Sequence, residues 1–142
     1  MSSEHMQIGE VAARTELSLR TIRHYEETGL VVPSARSRGG FRLYTEADVA
    51  RLMVIRRMKP LGFTLDEMRA LLEATDRLDS GEDLPPEDRE DLPPEDREDL
   101  LDRVREFERA AQQRVEELRT RLSRAEEFAA TLARRLTGSH RL

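Results

Sequence analysis

The chain has 142 residues, of which 4% are aromatic and 37% are charged, and such a composition does not support one large globular core. It contains no cysteine, which excludes disulfides, zinc–thiolate sites, iron–sulfur clusters and thiol redox sensing. Its three histidines are scattered, so neither a metal site nor a cofactor site is predicted. The chain has no run of about 18 apolar residues and no signal pattern at its start, so we expect a cytoplasmic protein.

The net charge of −5 is an average over unlike segments. Residues 14–59 hold ten Arg or Lys against five Asp or Glu, a net charge of +5. Residues 79–99 hold two Arg against eleven acids, a net charge of −9, and residues 100–142 return to +3 with ten Arg against seven acids. We therefore predict a compact domain over residues 6–78 with a basic stretch at 14–59, an acidic linker over residues 79–99 and one long helix over residues 100–137.

The domain opens with two short helices separated by a tight turn. Ile8 and Val11 follow helical spacing, and Ser18 is a good N-cap for a second helix over residues 19–28, which Gly29 ends. Two helices joined in this way form a helix-turn-helix, whose second helix presents its first turns to base edges in a major groove. The polar side chains placed there are Arg20, Thr21, Arg23 and His24. An ordinary amphipathic helix with solvated arginines explains the same residues.

Residues 33–44 predict a small β-hairpin that forms a wing. Two glycines at 39 and 40 are a turn signal, and Phe41 and Leu43 alternate with Arg42 and Tyr44 as in a strand. We expect Phe41 and Leu43 to anchor the wing in the core. The arginines expected to grip the DNA backbone or minor groove are Arg36, Arg38 and Arg42.

Two further helices complete the predicted domain. Thr45 opens the first with a near-capping box, and that helix runs towards Lys59. Pro60 and Gly62 break the chain, and Thr64 caps the last helix of the domain.

The linker holds an exact tandem repeat of eight residues, LPPEDRED, at 84–91 and 92–99. Paired prolines and self-repelling acids favour a solvated, extended spacer. A contact for a protein partner, or an internal mimic of DNA charge, is the alternative.

The final block carries a heptad pattern. Steps of three and four residues from Leu101 to Leu136 meet an apolar side chain at every position except Glu108. Such a seam predicts a coiled coil, most simply with a second copy of the chain, and intramolecular packing is the alternative. Gly138 is expected to end this helix.

These residues resemble the MerR family of bacterial transcriptional regulators. The matching stretches are residues 8–12 (IGEVA), 18–26 (SLRTIRHYE), 29–30 (GL), 40–44 (GFRLY) and 61–68 (LGFTLDEM). The family usually has an aromatic residue where His24 stands. The resemblance implies a mainly α fold: a winged helix-turn-helix with four helices and a hairpin wing, followed by a long dimerisation helix that forms an antiparallel coiled coil.

The resemblance also implies a function and a set of contacts. Family members bend and untwist a promoter spacer so that RNA polymerase can engage it, which requires a deformation of a few kcal/mol. The recognition-helix residues expected at DNA are Ser18, Arg20, Thr21, Arg23, His24 and Tyr25. The wing and backbone residues expected there are Arg36, Arg38, Gly40, Arg42, Tyr44 and Lys59.

A homodimeric transcriptional regulator on a palindromic promoter site is therefore the leading hypothesis. An architectural or excisionase-like DNA-binding protein and a coiled-coil adaptor for a protein partner are the alternatives. No catalytic constellation is visible, so an enzyme is not expected. Cysteine-based metal sensing is excluded, and the chain ends soon after the helix. A small-molecule effector would therefore have to bind between the domain and the helix, near Phe107 and Phe128.

Overall fold

The computed structural model describes residues 5–79 and 93–139. Within them, short strands and helices alternate and then give way to one long helix. The strands are β1 (Met6–Gln7), β2 (Ala35–Arg36) and β3 (Arg42–Tyr44). The helices are α1 (Ile8–Thr15), α2 (Leu19–Glu27), α3 (Glu46–Met58), α4 (Leu65–Asp79) and α5 (Pro94–Ser139), and a 3-10 turn (Lys59–Leu61) separates α3 from α4. Most of the acidic linker predicted at 79–99 lies outside the described residues, so both interpretations of its repeat stay predictions.

The predicted wing is part of a three-stranded antiparallel sheet. β3 pairs with β2, as the hairpin pattern predicts, and also with β1, so the order is β1-β3-β2. Met6 lies opposite Tyr44 in this pairing. β1 has only two residues, which is too short for an alternating pattern to reveal it.

The helix starts follow the predicted capping residues. The Ser18 hydroxyl accepts a hydrogen bond from the Thr21 amide at 3.0 Å. Thr45 and Asp48 form a reciprocal capping box, with bonds of 2.9 and 3.3 Å. Thr64 Oγ1 and the Glu67 carboxylate satisfy each other's backbone amides at 3.1 and 2.8 Å. Each cap supplies an acceptor for an amide that has no partner inside its own helix.

A core joins the first three helices to the sheet. Its buried members on these helices and the sheet include Val11, Ile22, Tyr25, Tyr44, Leu52 and Ile55. The prediction that Phe41 anchors the wing is wrong, because Phe41 is 63% exposed whereas Tyr44 is fully buried. The prediction of a strand at β3 is correct, but the face of that strand predicted to point into the core is wrong. Tyr44 takes the inward position because its hydroxyl donates to Glu26 Oε2 at 2.7 Å, which satisfies the one polar atom it buries.

The long helix starts earlier and ends later than predicted. It begins at Pro94 rather than at residue 100, since proline suits the first turn of a helix, where no amide donor is needed. Glu95 and Asp96 in that turn favour the start through the helix dipole. Gly138 does not end the helix, which continues to Ser139. A helical glycine costs only about 1 kcal/mol relative to alanine.

The first half of α5 packs on the domain, and the second half does not. Leu100 is 1% exposed, and the ring of Phe107 lies 6.0 Å from the ring of Phe63. From Val115 to Gly138 every residue is exposed. None of the described helices is both long enough and apolar enough to span a membrane.

Candidate nucleic-acid interface

The buried side of α2 determines which of its residues face outward. Ile22 is fully buried and Tyr25 is 2% exposed, so these two side chains fasten the helix to the core. Arg20, Arg23 and His24 are exposed on the other side. Tyr25, which was also predicted as a DNA contact, has almost no surface to present to a ligand. The roles of Arg20, Arg23 and His24 at DNA stay predictions.

The wing turn is held by its own short hydrogen bonds. The amide of Ser37 donates to the Phe41 carbonyl and the amide of Gly40 donates to the Ser37 carbonyl, both at 2.9 Å. Gly40 has a φ of +83°, a conformation that favours glycine. Arg36 donates to the Gly40 carbonyl at 3.0 Å. These bonds leave Arg38 exposed at the end of the wing.

Glu26 links the recognition helix to the wing. One oxygen accepts from Arg42 Nε at 2.5 Å, and the other accepts from the Tyr44 hydroxyl at 2.7 Å. The hydrogen bond to Glu26 raises the pKa of Arg42. Burial, with the same carboxylate as a second cause, raises the pKa of Tyr44. The structure therefore places Arg42 and Tyr44 in an internal link, although both were predicted as DNA contacts.

The predicted contact set needs correction at the two tyrosines. Tyr25 and Tyr44 belong to the core, because their rings fill space between α2, α3 and the sheet that smaller side chains would leave empty. Ser18 and Thr21 remain at the surface end of α2, where the Ser18 hydroxyl donates to Thr21 Oγ1 at 2.8 Å. Residue spacing predicts that these side chains lie at α2 or on β3, but it does not show which of them are buried in the core.

Several cations of the domain have carboxylate partners. Arg14 pairs with Glu46, Arg51 with Asp76 and Arg56 with Glu16, at 2.5, 2.6 and 3.0 Å. These pairs tie neighbouring helices and the turn after α1 together.

A second group of cations has no carboxylate partner among the described residues. It lies on α2, on the wing and at the end of α3. Its members are Arg20, Arg23, Arg36, Arg38, Arg57 and Lys59. We call this group the unpaired basic surface. It holds five of the predicted DNA contacts, and its sixth member, Arg57, also lines the space between the domain and α5. The neighbouring Arg56 and Arg57 look alike in sequence, and only the ion pair with Glu16 distinguishes them.

Comparison with known proteins identifies the family. The family model described as "MerR HTH family regulatory protein" matches residues 6–75. The HTH-type transcriptional regulator ZntR of Escherichia coli K12 is 48% identical over 65 residues, which are 46% of this chain and 46% of ZntR. The crystal structure of MtaN, the N-terminus of the Bacillus subtilis multidrug transporter activator, is 31% identical, with 92% of this chain and 97% of that chain covered and a TM-score of 0.52. The chain belongs to the MerR family.

The fold of this MerR-family chain also matches HiNmlR, described as a MerR family regulator lacking the sensor domain. Its TM-score is 0.69 at 21% identity, covering 92% of this chain and 85% of that chain, which is a likeness of fold. The chain spans about half or less of the curated relatives it matches. The predicted winged helix-turn-helix with a long terminal helix is confirmed. Membership of a family of regulatory proteins agrees with the prediction that the chain is not an enzyme.

Proposed function

We propose that this MerR-family chain is a sequence-specific DNA-binding transcriptional regulator that acts as a homodimer on a palindromic promoter site. The observation that carries the proposal is the unpaired basic surface on α2, the wing and the end of α3. Exposed cations that lack carboxylate partners leave their charge for an anionic ligand, and the phosphate groups of a duplex can neutralise that charge. The names of the relatives support this function, since ZntR is a transcriptional regulator and HiNmlR is described as bound to promoter DNA.

The residues divide into base and backbone contacts. Arg20, Thr21, Arg23 and His24 on α2 face the major groove, where an arginine fork can bind a guanine edge. Arg36 and Arg38 on the wing and Lys59 after α3 contact phosphates beside that groove. Ser18 and Gly40 shape the α2 start and the wing turn, which fixes where these cations lie.

The apolar stripe on the second half of α5 supports a homodimer. Val115, Leu118, Leu122, Leu132 and Leu136 are 38–66% exposed and follow the heptad pattern. A row of large apolar side chains along so long a helix is buried most simply by the same row of a second copy. The alternative of intramolecular packing accounts only for the first half of α5.

Charge favours an antiparallel arrangement of the two helices. Residues 95–108 hold seven acids against three Arg, and residues 119–135 hold five Arg against two acids. Parallel helices would set acids beside acids and arginines beside arginines. Antiparallel helices bring each acidic start beside a basic end, which lowers the electrostatic energy.

Two domains held at a fixed separation can also deform DNA. Bending and untwisting a promoter spacer costs a few kcal/mol, and phosphate contacts from two wings offset that cost. We propose that the dimer regulates RNA polymerase through such a distortion in the cytoplasm. An effector is not required by this arrangement.

DNA binding measured across salt concentrations tests the proposal. Fluorescence anisotropy with the duplex upstream of the coding sequence should show tight binding whose logarithm falls steeply with the logarithm of salt concentration. Replacing Arg38 with alanine should weaken binding and lower that slope by about 1 for each phosphate that is no longer neutralised, whereas replacing Arg20 should weaken binding and relax the preference for one sequence.

The matched control is Arg77→Ala, because Arg77 is exposed near the end of α4 and has no carboxylate partner among the described residues. Equal binding to every duplex would favour an architectural protein. No binding to any duplex would favour a coiled-coil adaptor and would overturn the proposal.

A further inference from the structure

The helix α2 ends in a turn that satisfies its last carbonyl groups. The Gly29 amide donates to the Glu26 carbonyl and the Leu30 amide donates to the Tyr25 carbonyl, both at 3.0 Å. This pair of bonds is the Schellman ending of a helix, and its glycine has a φ of +81°, in the left-handed region that favours glycine. The turn leaves the carbonyls of Thr28 and Leu30 for other donors.

Two arginines from later helices donate to those carbonyls. Arg69 of α4 donates from Nη2 to the Thr28 carbonyl at 2.7 Å, and Arg51 of α3 donates from Nε to the Leu30 carbonyl at 2.6 Å. The last turn of a helix carries the negative end of the helix dipole, so a cation placed there stabilises it by charge as well as by hydrogen bonding. We call Arg51 and Arg69, with these two bonds, the α2 brace.

Asp76 fixes the orientation of Arg51 within the brace. Arg51 Nη1 donates to the two carboxylate oxygens of Asp76 on α4 at 2.8 and 2.6 Å, while its Nε donates to the Leu30 carbonyl. The planar guanidinium holds both partners at fixed angles. Helix α4 therefore contributes to both bonds of the brace, directly through Arg69 and through Asp76 for Arg51.

The brace supplies a point of attachment that the core contacts of α2 do not. The helix has nine residues, and its two buried side chains, Ile22 and Tyr25, lie about one turn apart. Glu26, which links α2 to the wing, is next to Tyr25. Attachments so close together let a short helix rock about them, and bonds to its end oppose that motion. Because nine residues span only about 14 Å, a displacement of the end moves the start by a comparable distance.

We propose that Arg51 and Arg69 are positioning residues for sequence recognition, a role they fill without contacting DNA because backbone carbonyls occupy their guanidinium groups. By holding the end of α2, they fix the angle at which Arg20 and Arg23 meet the base edges. An arginine fork binds a guanine edge through two bonds of fixed geometry, whereas phosphate contacts carry no sequence information. A change in angle therefore weakens binding to the correct sequence more than binding to any other. This inference rests on the function proposed above.

Binding to two duplexes separates sequence recognition from general affinity. Fluorescence anisotropy gives the Kd of each variant for the duplex upstream of the coding sequence and for a shuffled duplex of the same length and composition. Arg69→Ala should lower the preference for the upstream duplex by about tenfold, the effect of one mismatched base pair. Its salt slope on the shuffled duplex should not change, because no phosphate contact is removed. Arg77→Ala is the matched control, since Arg77 is an exposed arginine of the same helix, and it should change neither quantity.

A double-mutant cycle tests whether Arg51 and Asp76 act as one unit. Arg51→Ala and Asp76→Ala should each lower the preference for the upstream duplex. The double variant should lose no more preference than Arg51→Ala, because Asp76 acts only through Arg51. Losses that add in full would contradict this part of the proposal.

Amide hydrogen exchange in the free protein tests the brace without DNA. The Gly29 and Leu30 amides should exchange at least about tenfold faster in Arg69→Ala than in the wild type, and Arg77→Ala should leave them unchanged. Equal exchange in all three proteins would overturn the brace. A lower urea midpoint together with equal weakening on both duplexes would indicate a merely structural role and would also overturn the proposal.

Failure of the brace and failure of the proposed function are distinguishable. If the wild type prefers neither duplex, the proposed function fails, and the role of the brace in sequence recognition fails with it. If the wild type prefers the upstream duplex and Arg69→Ala keeps that preference in full, only the positioning role fails. A salt slope lowered by about 1 in Arg69→Ala would make Arg69 a phosphate contact and would likewise contradict the positioning role.

Discussion

Glu26 shows how one side chain can serve two others. It is 14% exposed and accepts hydrogen bonds from Arg42 and Tyr44, so it fixes the strand of the wing against the recognition helix. Arg42 is therefore a link inside the domain, and it is not part of the unpaired basic surface that we propose for DNA. The same carboxylate stabilises the protonated phenol of Tyr44.

The raised pKa of Tyr44 predicts a loss of stability at high pH. The folded state keeps the phenol protonated, whereas the unfolded chain releases the proton near the ordinary value of 10.0. The contribution is therefore complete below about pH 10 and is lost as pH rises towards the folded-state pKa. Urea unfolding of the wild type and of Tyr44→Phe across pH measures this loss of stability.

The wild-type midpoint should fall more steeply above about pH 10 than that of Tyr44→Phe. At neutral pH the variant should be less stable by about 1 kcal/mol, because Glu26 loses a hydrogen bond. If the urea midpoints of the wild type and Tyr44→Phe fall equally with rising pH, the Tyr44 phenol does not cause the loss of stability.

Residues next to each helix end determine where several helices of this chain begin, mainly through N-terminal caps. Thr45 and Thr64 each form a reciprocal bond with a carboxylate three residues later. Pro94 begins α5 because proline suits the first turn of a helix. Gly138 does not end α5, because a helical glycine costs only about 1 kcal/mol relative to alanine. The two threonine caps are predicted correctly from sequence. The predicted limits of α5 are wrong because a proline or glycine near a helix end does not always break the helix.

Thr64→Ala should destabilise the protein by about 1 kcal/mol, since the Glu67 amide loses its acceptor. The measurement is the urea midpoint at constant m-value. Thr131→Ala is the control, because Thr131 lies inside exposed helix and its hydroxyl caps no backbone amide: it donates to the Glu127 carbonyl at 2.9 Å and accepts from Arg134 at 3.2 Å. If both variants lose the same stability, the cap is not responsible.

At the scale of the whole molecule, the unpaired basic surface and the exposed apolar stripe lie on different parts of the chain. The unpaired basic surface lies on the domain, and the exposed apolar stripe lies on the second half of α5. The proposed dimer would join these two features, because it would bury the stripe and place two basic surfaces on one ligand. DNA affinity should therefore depend on residues of α5 that never contact DNA.

Leu122→Glu should abolish the dimer, since a symmetric interface would bury a carboxylate from each copy near its centre. Sedimentation should show a monomer, and DNA affinity should fall by at least about tenfold because bivalent binding is abolished. Thr120→Glu is the control, since Thr120 is exposed on the face opposite the stripe. Unchanged DNA affinity in a monomeric Leu122→Glu would contradict the dimer proposal.

Short-range sequence patterns predicted a large part of the fold. The caps at Ser18, Thr45 and Thr64, the helix pair and the heptad stripe depend on spacings of a few residues, and each spacing has a direct physical meaning. The family resemblance in residues 6–78 follows from the same short stretches, and the family model matches residues 6–75.

Tertiary contacts decided the rest. The inward face of β3, the contact of Tyr44 with Glu26 and the pairing of Arg56 with Glu16 depend on residues 16 to 40 positions apart in the chain. A repeat of two residues shows that a strand has two faces but not which one is buried. In the same way, an arginine side chain looks the same in sequence whether or not a distant carboxylate neutralises it.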